Sequence, residues 1–160
     1  MRVWDLGTGR ATSVLSGHEG PVWDASFDPA GDRVVSGGDD RTVRVWDLAT
    51  GSATVLQGHQ NSVRTAAFSA DGRHVLSSAD DGVRVWDAGT GRIVRTISTP
   101  ARDTLGAAIA PDGVTIAVQT FDGRILIYNC ETCGSIDEVK ALSNERVPRD
   151  LTTKEVARLG

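Results

Sequence analysis

The chain has 160 residues, a formal net charge of −4 at pH 7 and a hydrophobic fraction of 39%. This length is sufficient for one ordinary domain with a core, and the acidic balance offers no electrostatic footprint for nucleic acid. No apolar run approaches the roughly 18 residues of a membrane-spanning helix. The first five residues lack the apolar stretch of a signal peptide, and two cysteines are too few for a disulfide framework. We therefore expect a soluble, cytoplasmic protein without a nucleic-acid or membrane partner.

Short predicted strands, each ended by a turn signal, follow one another along the first 130 residues. Residues 1–16 contain two strands, Arg2–Asp5 and Ala11–Leu15. Residues 17–57 contain four: Val22–Phe27, Arg33–Ser36, Thr42–Trp46 and Ala53–Gln57. Residues 58–98 repeat this pattern with Val63–Phe68, Val75–Ser77, Val83–Trp86 and Ile93–Ile97. Residues 99–130 repeat it with three: Leu105–Ile109, Thr115–Val118 and Ile125–Tyr128. Short strands separated by regular turn signals predict antiparallel meanders.

A Trp-Asp dipeptide recurs at the end of each predicted third strand, at an interval of about 40 residues. The copies are Trp4-Asp5, Trp46-Asp47, Trp86-Asp87 and the degenerate Tyr128-Asn129. A Gly-His pair opens each of the two complete units, at residues 17–18 and 58–59. By these motifs residues 1–130 resemble the WD-repeat β-propeller family. The resemblance implies an all-β partial propeller: a half blade at 1–16, full blades at 17–57 and 58–98, and a three-stranded terminal blade at 99–130 that lacks its outer strand.

The same resemblance implies a hydrogen-bonded chain inside each full blade, made by the His of Gly-His, a second-strand Ser, a turn Asp and the Trp. In the first full blade these positions are His18, Ser36, Asp40 and Trp46. In the second they are His59, Ser77, Asp81 and Trp86, provided that one residue is missing after Asp81; otherwise the turn Asp is Asp80. The terminal blade keeps Asp122, with Pro100, Val118 and Tyr128 at the other positions.

Ser, His and Asp together also suit a hydrolase triad. The recurrence of the set in both full blades, with Ser inside a strand rather than on a nucleophile elbow, favours an architectural role. We therefore expect no enzyme activity and no cofactor.

In the resembled family, partners bind at residues that flank the start of each inner strand and precede the turn Asp. Carried over by position, these are Pro21, Trp23, Asp39, Ser62, Arg64, Asp80, Asp103, Leu105 and Phe121. Trp23 and Arg64 are the strongest candidates, because Trp and Arg most often anchor protein interfaces. The alternative is that all nine are ordinary solvated residues. This mixture of aromatic, basic and acidic side chains predicts a protein or peptide partner.

Cys130 and Cys133 have the spacing of a metal or redox motif. A zinc site needs about four ligands, and the nearest other candidate, His74, is isolated in sequence. A thioredoxin-like motif needs a βαβ context, which is missing. We interpret the pair as plain thiols at a strand end and predict no metal site.

After Cys133 the pattern becomes helical, so residues 131–160 are expected to form a helical tail. Ser135 to Glu138 and Thr152 to Glu155 both fit a capping box, and Pro148 separates the two short helices. This tail resembles the C-terminal end of bacterial multidomain WD-repeat signalling proteins that carry a NACHT or NB-ARC module. The chain itself has no phosphate-binding loop of the Walker A form.

A closed propeller needs about four to eight blades. The chain is therefore expected either to be the C-terminal part of a longer protein or to self-associate, with Ala11–Leu15 of one copy completing the terminal blade of another. The leading functional hypothesis is a non-catalytic scaffold or sensor segment. A truncated, non-functional remnant of such a protein is the alternative.

Overall fold

The computed structural model describes residues 1–99 and 104–129, together with the backbone of residues 141–142. These residues form β-strands and turns, which confirms the all-β prediction. The strands are β1 Arg2–Asp5, β2 Arg10–Val14, β3 Val22–Phe27, β4 Arg33–Gly38, β5 Val43–Asp47, β6 Ala53–Leu56, β7 Val63–Phe68, β8 His74–Ala79, β9 Gly82–Asp87, β10 Ile93–Ile97, β11 Thr104–Ile109, β12 Thr115–Thr120, β13 Ile125–Asn129 and β14 Ala141–Leu142. Within the described ranges, no helix has the length and apolar character to cross a membrane.

Within each sheet, strands that follow one another along the chain pair antiparallel. This produces a two-stranded N-terminal hairpin (β1–β2) and three four-stranded blades: the first (β3–β6), the second (β7–β10) and the third (β11–β14). The turn between the first two strands of each blade places a glycine at positive φ, at Gly31, Gly72 and Gly113. Glycine populates this region without a Cβ clash, so the three turns have the same geometry.

The Asp of each Trp-Asp dipeptide stabilises the turn between the third and fourth strands. Asp47 Oδ1 accepts hydrogen bonds from the backbone N–H and the hydroxyl of Thr50, both at 2.8 Å. Asp5 with Thr8 and Asp87 with Thr90 repeat this arrangement. Asp side chains favour turns because they bond nearby backbone N–H groups. The most regular signal in the sequence therefore encodes a turn as well as a strand end.

Apolar side chains fill the space between neighbouring blades. Val35 and Val45 of the first blade pack with Val63, Phe68 and Trp86 of the second. A second cluster joins the second blade to the third through residues that are all strongly buried: Leu76, Val83, Val85, Ile97, Ile116, Val118 and Tyr128. Burial of both faces explains why the central strands β4 and β8 consist largely of buried residues.

The N-terminal hairpin covers only part of the first blade. Leu15 packs against Val34 and Trp46, with Met1 and Val3 beside them. Phe27 stays 55% exposed, although Phe68 at the same position of the second blade is only 9% exposed. A groove of about 270 Å³ lies beside Phe27. The first blade thus has a partly open apolar face.

The third blade has four strands rather than the three that the sequence predicts. Ala141–Leu142 forms β14 and pairs with β13, with Ile127 opposite Leu142 and Tyr128 opposite Ala141. The outer edge of β13 carries unpaired backbone donors and acceptors, and a further strand satisfies them. Ala141 and Leu142 were expected to be helical, so the helical prediction is wrong at these two positions. The rest of the predicted tail, at 131–140 and 143–160, lies outside the described residues.

Gly82 explains how the second blade accommodates its shorter turn. Its φ is 115°, and a β-carbon there would lie 2.5 Å from the carbonyl oxygen of Ile97. We predict that Gly82→Ala destabilises the chain by about 1–3 kcal/mol, since it adds backbone strain and a clash with main chain.

Thermal and urea unfolding of the two proteins measures this difference. Gly89→Ala is the matched control, because a β-carbon there meets nothing closer than 3.6 Å and its φ is not positive. Equal midpoints for Gly82→Ala and Gly89→Ala would contradict the prediction.

Candidate functional site

In the first blade, the four predicted network residues lie in one hydrogen-bonded chain. The indole N–H of Trp46 donates to Ser36 Oγ at 2.8 Å, and Ser36 Oγ lies 2.8 Å from His18 Nε2. His18 Nδ1 lies 2.9 Å from Asp40 Oδ2. Because an indole N–H can only donate, the chain is satisfied when Ser36 donates to Nε2 and Nδ1–H donates to Asp40. This is the neutral imidazole tautomer that the carboxylate selects.

The second blade repeats the chain with similar distances. Trp86 Nε1 donates to Ser77 Oγ at 2.7 Å, and Ser77 Oγ lies 2.7 Å from His59 Nε2. His59 Nδ1 lies 2.8 Å from Asp81 Oδ1. Of the two candidate turn residues, the structure therefore places Asp81 in the network. Asp80 instead accepts hydrogen bonds from Arg64.

Burial and hydrogen bonding set the ionisation of this network. Burial opposes the charge of Asp40, but hydrogen bonds from the Glu19 backbone, the Thr42 hydroxyl and His18 outweigh it and lower its pKa to about 2. Burial also lowers the pKa of His59, although its hydrogen bond to Asp81 acts in the opposite direction. Burial likewise opposes the charge of Asp81, but hydrogen bonds from His59 and the Gln60 backbone outweigh it and lower the pKa of Asp81, so both aspartates are held as anions.

The network is closed to a substrate. Ser36 and Ser77 are fully buried, and each hydroxyl already accepts a tryptophan N–H. A nucleophile must reach its substrate at the protein surface. The arrangement therefore holds strands and turns together and offers no reacting atom.

The third blade replaces the network by apolar packing. Val118 occupies the serine position and Tyr128 the tryptophan position, and both are buried in the cluster shared with the second blade. Burial raises the pKa of Tyr128. Asp122 forms an ion pair with Arg124 and accepts the Thr120 hydroxyl at 2.6 Å, and together these hydrogen bonds lower its pKa to about 2. Pro100 lies outside the described residues.

The inner strand of every blade carries a β-bulge at the same repeat position. The ladder passes from Val22 to Asp24, from Val63 to Thr65 and from Thr104 to Gly106. The residues that the three ladders skip are Trp23, Arg64 and Leu105. A bulge changes the direction of the extra side chain. Three of the predicted partner-binding residues therefore share one unusual backbone setting.

The predicted partner-binding residues that the structure describes are called the rim below: Pro21, Trp23, Asp39, Ser62, Arg64, Asp80, Leu105 and Phe121. Asp103 lies outside the described residues. Trp23 and Phe121 are exposed by 60% and 53%, whereas Leu105 is half-buried. Pro21 is exposed, and its carbonyl accepts the backbone N–H of Asp39 at 2.9 Å.

Polar contacts connect the rim across blade boundaries. Asp39 Oδ1 accepts the Trp23 indole N–H at 3.3 Å and the hydroxyl of Ser62, from the second blade, at 2.5 Å. Arg64 Nε donates to Asp80 Oδ1 at 3.1 Å. The guanidinium carbon of Arg64 also lies 5.4 Å from the centre of the Phe121 ring, in the third blade. The rim is thus a connected surface across three blades.

Two polar residues next to the bulges were missed by the sequence analysis. Asp24 Oδ2 accepts the backbone N–H of Ala66 at 2.9 Å, and Thr65 Oγ1 accepts that of Ala107 at 3.4 Å. Each satisfies a donor on the inner strand of the following blade. A polar residue directly after the bulge position in two repeats is the signal that could have identified them.

Cys130 and Cys133 lie outside the described residues. His74 is half-buried at the start of β8 and lies among the residues that the structure describes. Among those residues, no group of three or more His, Cys, Asp or Glu side chains is arranged to hold a metal ion.

Comparison with known proteins identifies the repeats. The family model of the WD40 repeat (WD domain, G-beta repeat) matches residues 9–47 and 50–87. Each matched range ends at the Asp of a Trp-Asp dipeptide. These two ranges therefore match the WD40 repeat.

Curated relatives match over larger parts of the chain. Periodic tryptophan protein 2 of Arabidopsis thaliana is 38% identical over 112 residues, which is 69% of this chain and 12% of the relative. Apoptotic protease-activating factor 1 of Rattus norvegicus is 29% identical over 88% of this chain and 11% of its own length. Serine-threonine kinase receptor-associated protein of Gallus gallus is 29% identical over 88% of this chain and 40% of its own length. The chain spans a minor part of each relative.

The network predicts a measurable loss of stability when its central hydroxyl is removed. Ser36→Ala leaves the Trp46 indole N–H and one His18 nitrogen without a partner in a buried setting. We expect a loss of about 1–3 kcal/mol in the free energy of unfolding by urea. Ser16→Ala, at an exposed position, is the control and should stay within about 0.5 kcal/mol of wild type. An unchanged free energy of unfolding in Ser36→Ala would show that the network does not support the fold.

The lowered pKa of His59 predicts a pH dependence. Below pH 6.5 the unfolded chain protonates this histidine, whereas the folded chain resists protonation until its lower pKa is reached. Stability is therefore fully present above pH 6.5 and decreases as the pH falls towards 5, by at most about 1.4 kcal/mol per pH unit.

Urea unfolding at pH 7, 6 and 5 tests this dependence by comparing wild type with His59→Gln. The substitution removes the titrating group, so the variant should lose less stability than wild type between pH 7 and 5. An equal loss of stability between pH 7 and 5 in the two proteins would contradict the assignment of His59 as buried and neutral.

Proposed function

Because residues 9–47 and 50–87 match the WD40 repeat, we propose that the chain is a non-catalytic platform that binds a protein or peptide through the rim. The observation that carries this proposal is the set of three equivalent β-bulges, which bring Trp23, Arg64 and Leu105 to the same position of successive blades. Repeat proteins build extended binding surfaces in this way.

The physical properties of the rim support binding. Trp23 and Phe121 present large, exposed aromatic area, and Arg64 lies between Asp80 and the Phe121 ring. Burial of aromatic rings supplies the main free energy of many interfaces. The hydrogen bonds of Trp23 and Arg64 to aspartates restrict both side chains before a partner arrives, which lowers the entropy cost of association.

The charge of the rim favours a protein partner. Asp39 and Asp80 contribute two carboxylates, against one guanidinium from Arg64. A phosphate backbone binds surfaces where Lys and Arg predominate. We accordingly propose neither nucleic acid nor membrane as the partner.

The setting of the chain is proposed as that of a segment within a larger cytoplasmic signalling protein. The match to rat apoptotic protease-activating factor 1 over 88% of this chain supports this proposal. The bacterial NACHT or NB-ARC setting stays a prediction, since the three relatives named above come from a plant, a rodent and a bird.

Self-association is proposed to use the exposed edge of β1. Among the described residues, β1 pairs with β2 alone, and Trp4 and Phe27 expose apolar area beside it. The expected exchange of Ala11–Leu15 into the third blade would need a free edge of β13, and β14 already pairs with that edge.

The alternative of a remnant that never folds stably predicts a chain without a cooperative unfolding transition.

The double substitution Trp23→Ala and Arg64→Ala tests the proposed function. A random library of twelve-residue peptides is selected against the wild-type chain, and the affinities of the selected peptides are measured for both proteins. We expect the double variant to bind at least about tenfold more weakly, because it loses two interface anchors.

The matched control is Arg92→Ala with Ile93→Ala, which removes an arginine and a large apolar side chain on and beside the outer strand β10, away from the rim. This control should bind like wild type. Peptides that bind the rim variant as tightly as wild type, or a library that yields no binder, would contradict the proposed function.

A further inference from the structure

The carboxylate of Asp39 has unused capacity to accept hydrogen bonds. Its Oδ1 atom receives both Trp23 Nε1 and Ser62 Oγ, whereas no described residue donates to Oδ2. Both donors are uncharged, and within the described ranges Asp39 forms no ion pair. A carboxylate offers about four lone-pair sites. Asp39 is exposed, so a donor from outside can reach it.

The ring of Trp23 lies beside this carboxylate and is held in place by it. The indole N–H bond to Asp39 fixes one edge of the ring, and the side chain is 60% exposed. The face of a tryptophan ring attracts cations more strongly than that of any other aromatic side chain. An accessible ring next to an accessible anion is therefore a suitable environment for a positive charge.

The second blade contains the same kind of environment with its cation present. Arg64 and Asp80 occupy the repeat positions of Trp23 and Asp39. The Arg64 guanidinium donates to both oxygens of Asp80, at 3.1 and 3.4 Å, and lies 5.4 Å from the Phe121 ring. One boundary of the rim thus holds a cation between a carboxylate and an aromatic ring. The first blade presents a carboxylate and an aromatic ring, and no described cation pairs with that carboxylate.

Resting on the proposed function, we propose that the partner inserts an arginine side chain against Trp23 and Asp39. The guanidinium donates to Asp39 Oδ2 and lies over the indole ring, just as the guanidinium of Arg64 donates to Asp80 and lies over the Phe121 ring. Arginine is favoured over lysine because its planar group stacks and forms two hydrogen bonds at once. The partner is therefore a peptide segment with an exposed arginine.

The charge of Asp39 itself supports this assignment. The carboxylate of Asp40, the next residue, is already taken up by His18, Thr42 and an ion pair with Arg44. Hydrogen bonds from Ser62 and then Trp23 lower the pKa of Asp39, so that it is charged at neutral pH. The site is an ordered anion, and an arginine can bind it without first displacing an internal ion pair.

The test uses peptides that are selected on the full chain and lose binding to the Trp23→Ala, Arg64→Ala variant. Each arginine of such a peptide is replaced by citrulline, which keeps the shape and removes the charge. We expect one arginine whose replacement weakens binding by about tenfold, the size of one well-placed charge-assisted contact. Replacing that arginine by lysine should give an intermediate affinity.

Substitutions in the chain then locate the contact. In the Asp39→Asn variant, the ratio between the affinity for the arginine peptide and the affinity for its citrulline counterpart should fall to near one. In Asp32→Asn, the matched control, an exposed carboxylate outside the rim is removed from the turn between β3 and β4, and the ratio should stay near that of wild type. Trp23→Phe keeps a ring without the indole N–H and should retain most of the ratio. If Asp39→Asn does not fold, Asp39→Ser serves in its place.

The outcomes separate this inference from the proposed function. Peptides that need the rim but tolerate citrulline at every arginine, or that keep the ratio in the Asp39 variant, would overturn the arginine site and leave the binding rim standing. Peptides that bind independently of the rim, or the absence of any binder, would overturn both.

Discussion

Each full blade depends on one buried donor, the indole N–H of the tryptophan on its third strand. Trp46 and Trp86 lie almost without solvent contact, so an unpaired N–H at either place would cost about 1–3 kcal/mol. The serine on the neighbouring strand accepts a hydrogen bond from this N–H, and histidine and aspartate continue the chain. The whole network follows from the need to satisfy one donor inside a dry sheet.

The network also determines where the candidate site lies. Asp40 is held by His18 and by the backbone of Glu19, which fixes the turn between β4 and β5. Asp39, one residue earlier, consequently projects at the rim, where it meets Trp23 and Ser62. In the second blade, Asp81 takes the interior role of Asp40, and Asp80 takes the surface role of Asp39. An interior aspartate thus orients an exterior one, and the structural and binding residues are adjacent in sequence for this reason.

The third blade shows that a blade can also be stabilised without the hydrogen-bonded network. Val118 and Tyr128 replace serine and tryptophan, and the blade is held by apolar contacts with the second blade and by pairing of β13 with β14. Removing both the donor and its acceptor leaves no buried polar group to satisfy, which is close to neutral in free energy. The blade therefore keeps its sheet while its turn aspartate, Asp122, is free to pair with Arg124 at the surface.

The sequence by itself determined the repeat and the order of the strands, because a period of about 40 residues and local turn chemistry are properties of consecutive residues. The network residues followed from the resemblance to the WD-repeat family, with the turn Asp of the second blade left open. Only the tertiary structure decided between Asp80 and Asp81, replaced an expected helix by β14 at Ala141 and Leu142, and placed Arg64 over the ring of Phe121. Each of these depends on how one strand or blade lies against another. That arrangement is set by the bulges and by packing between residues distant in the chain, which a linear pattern does not encode.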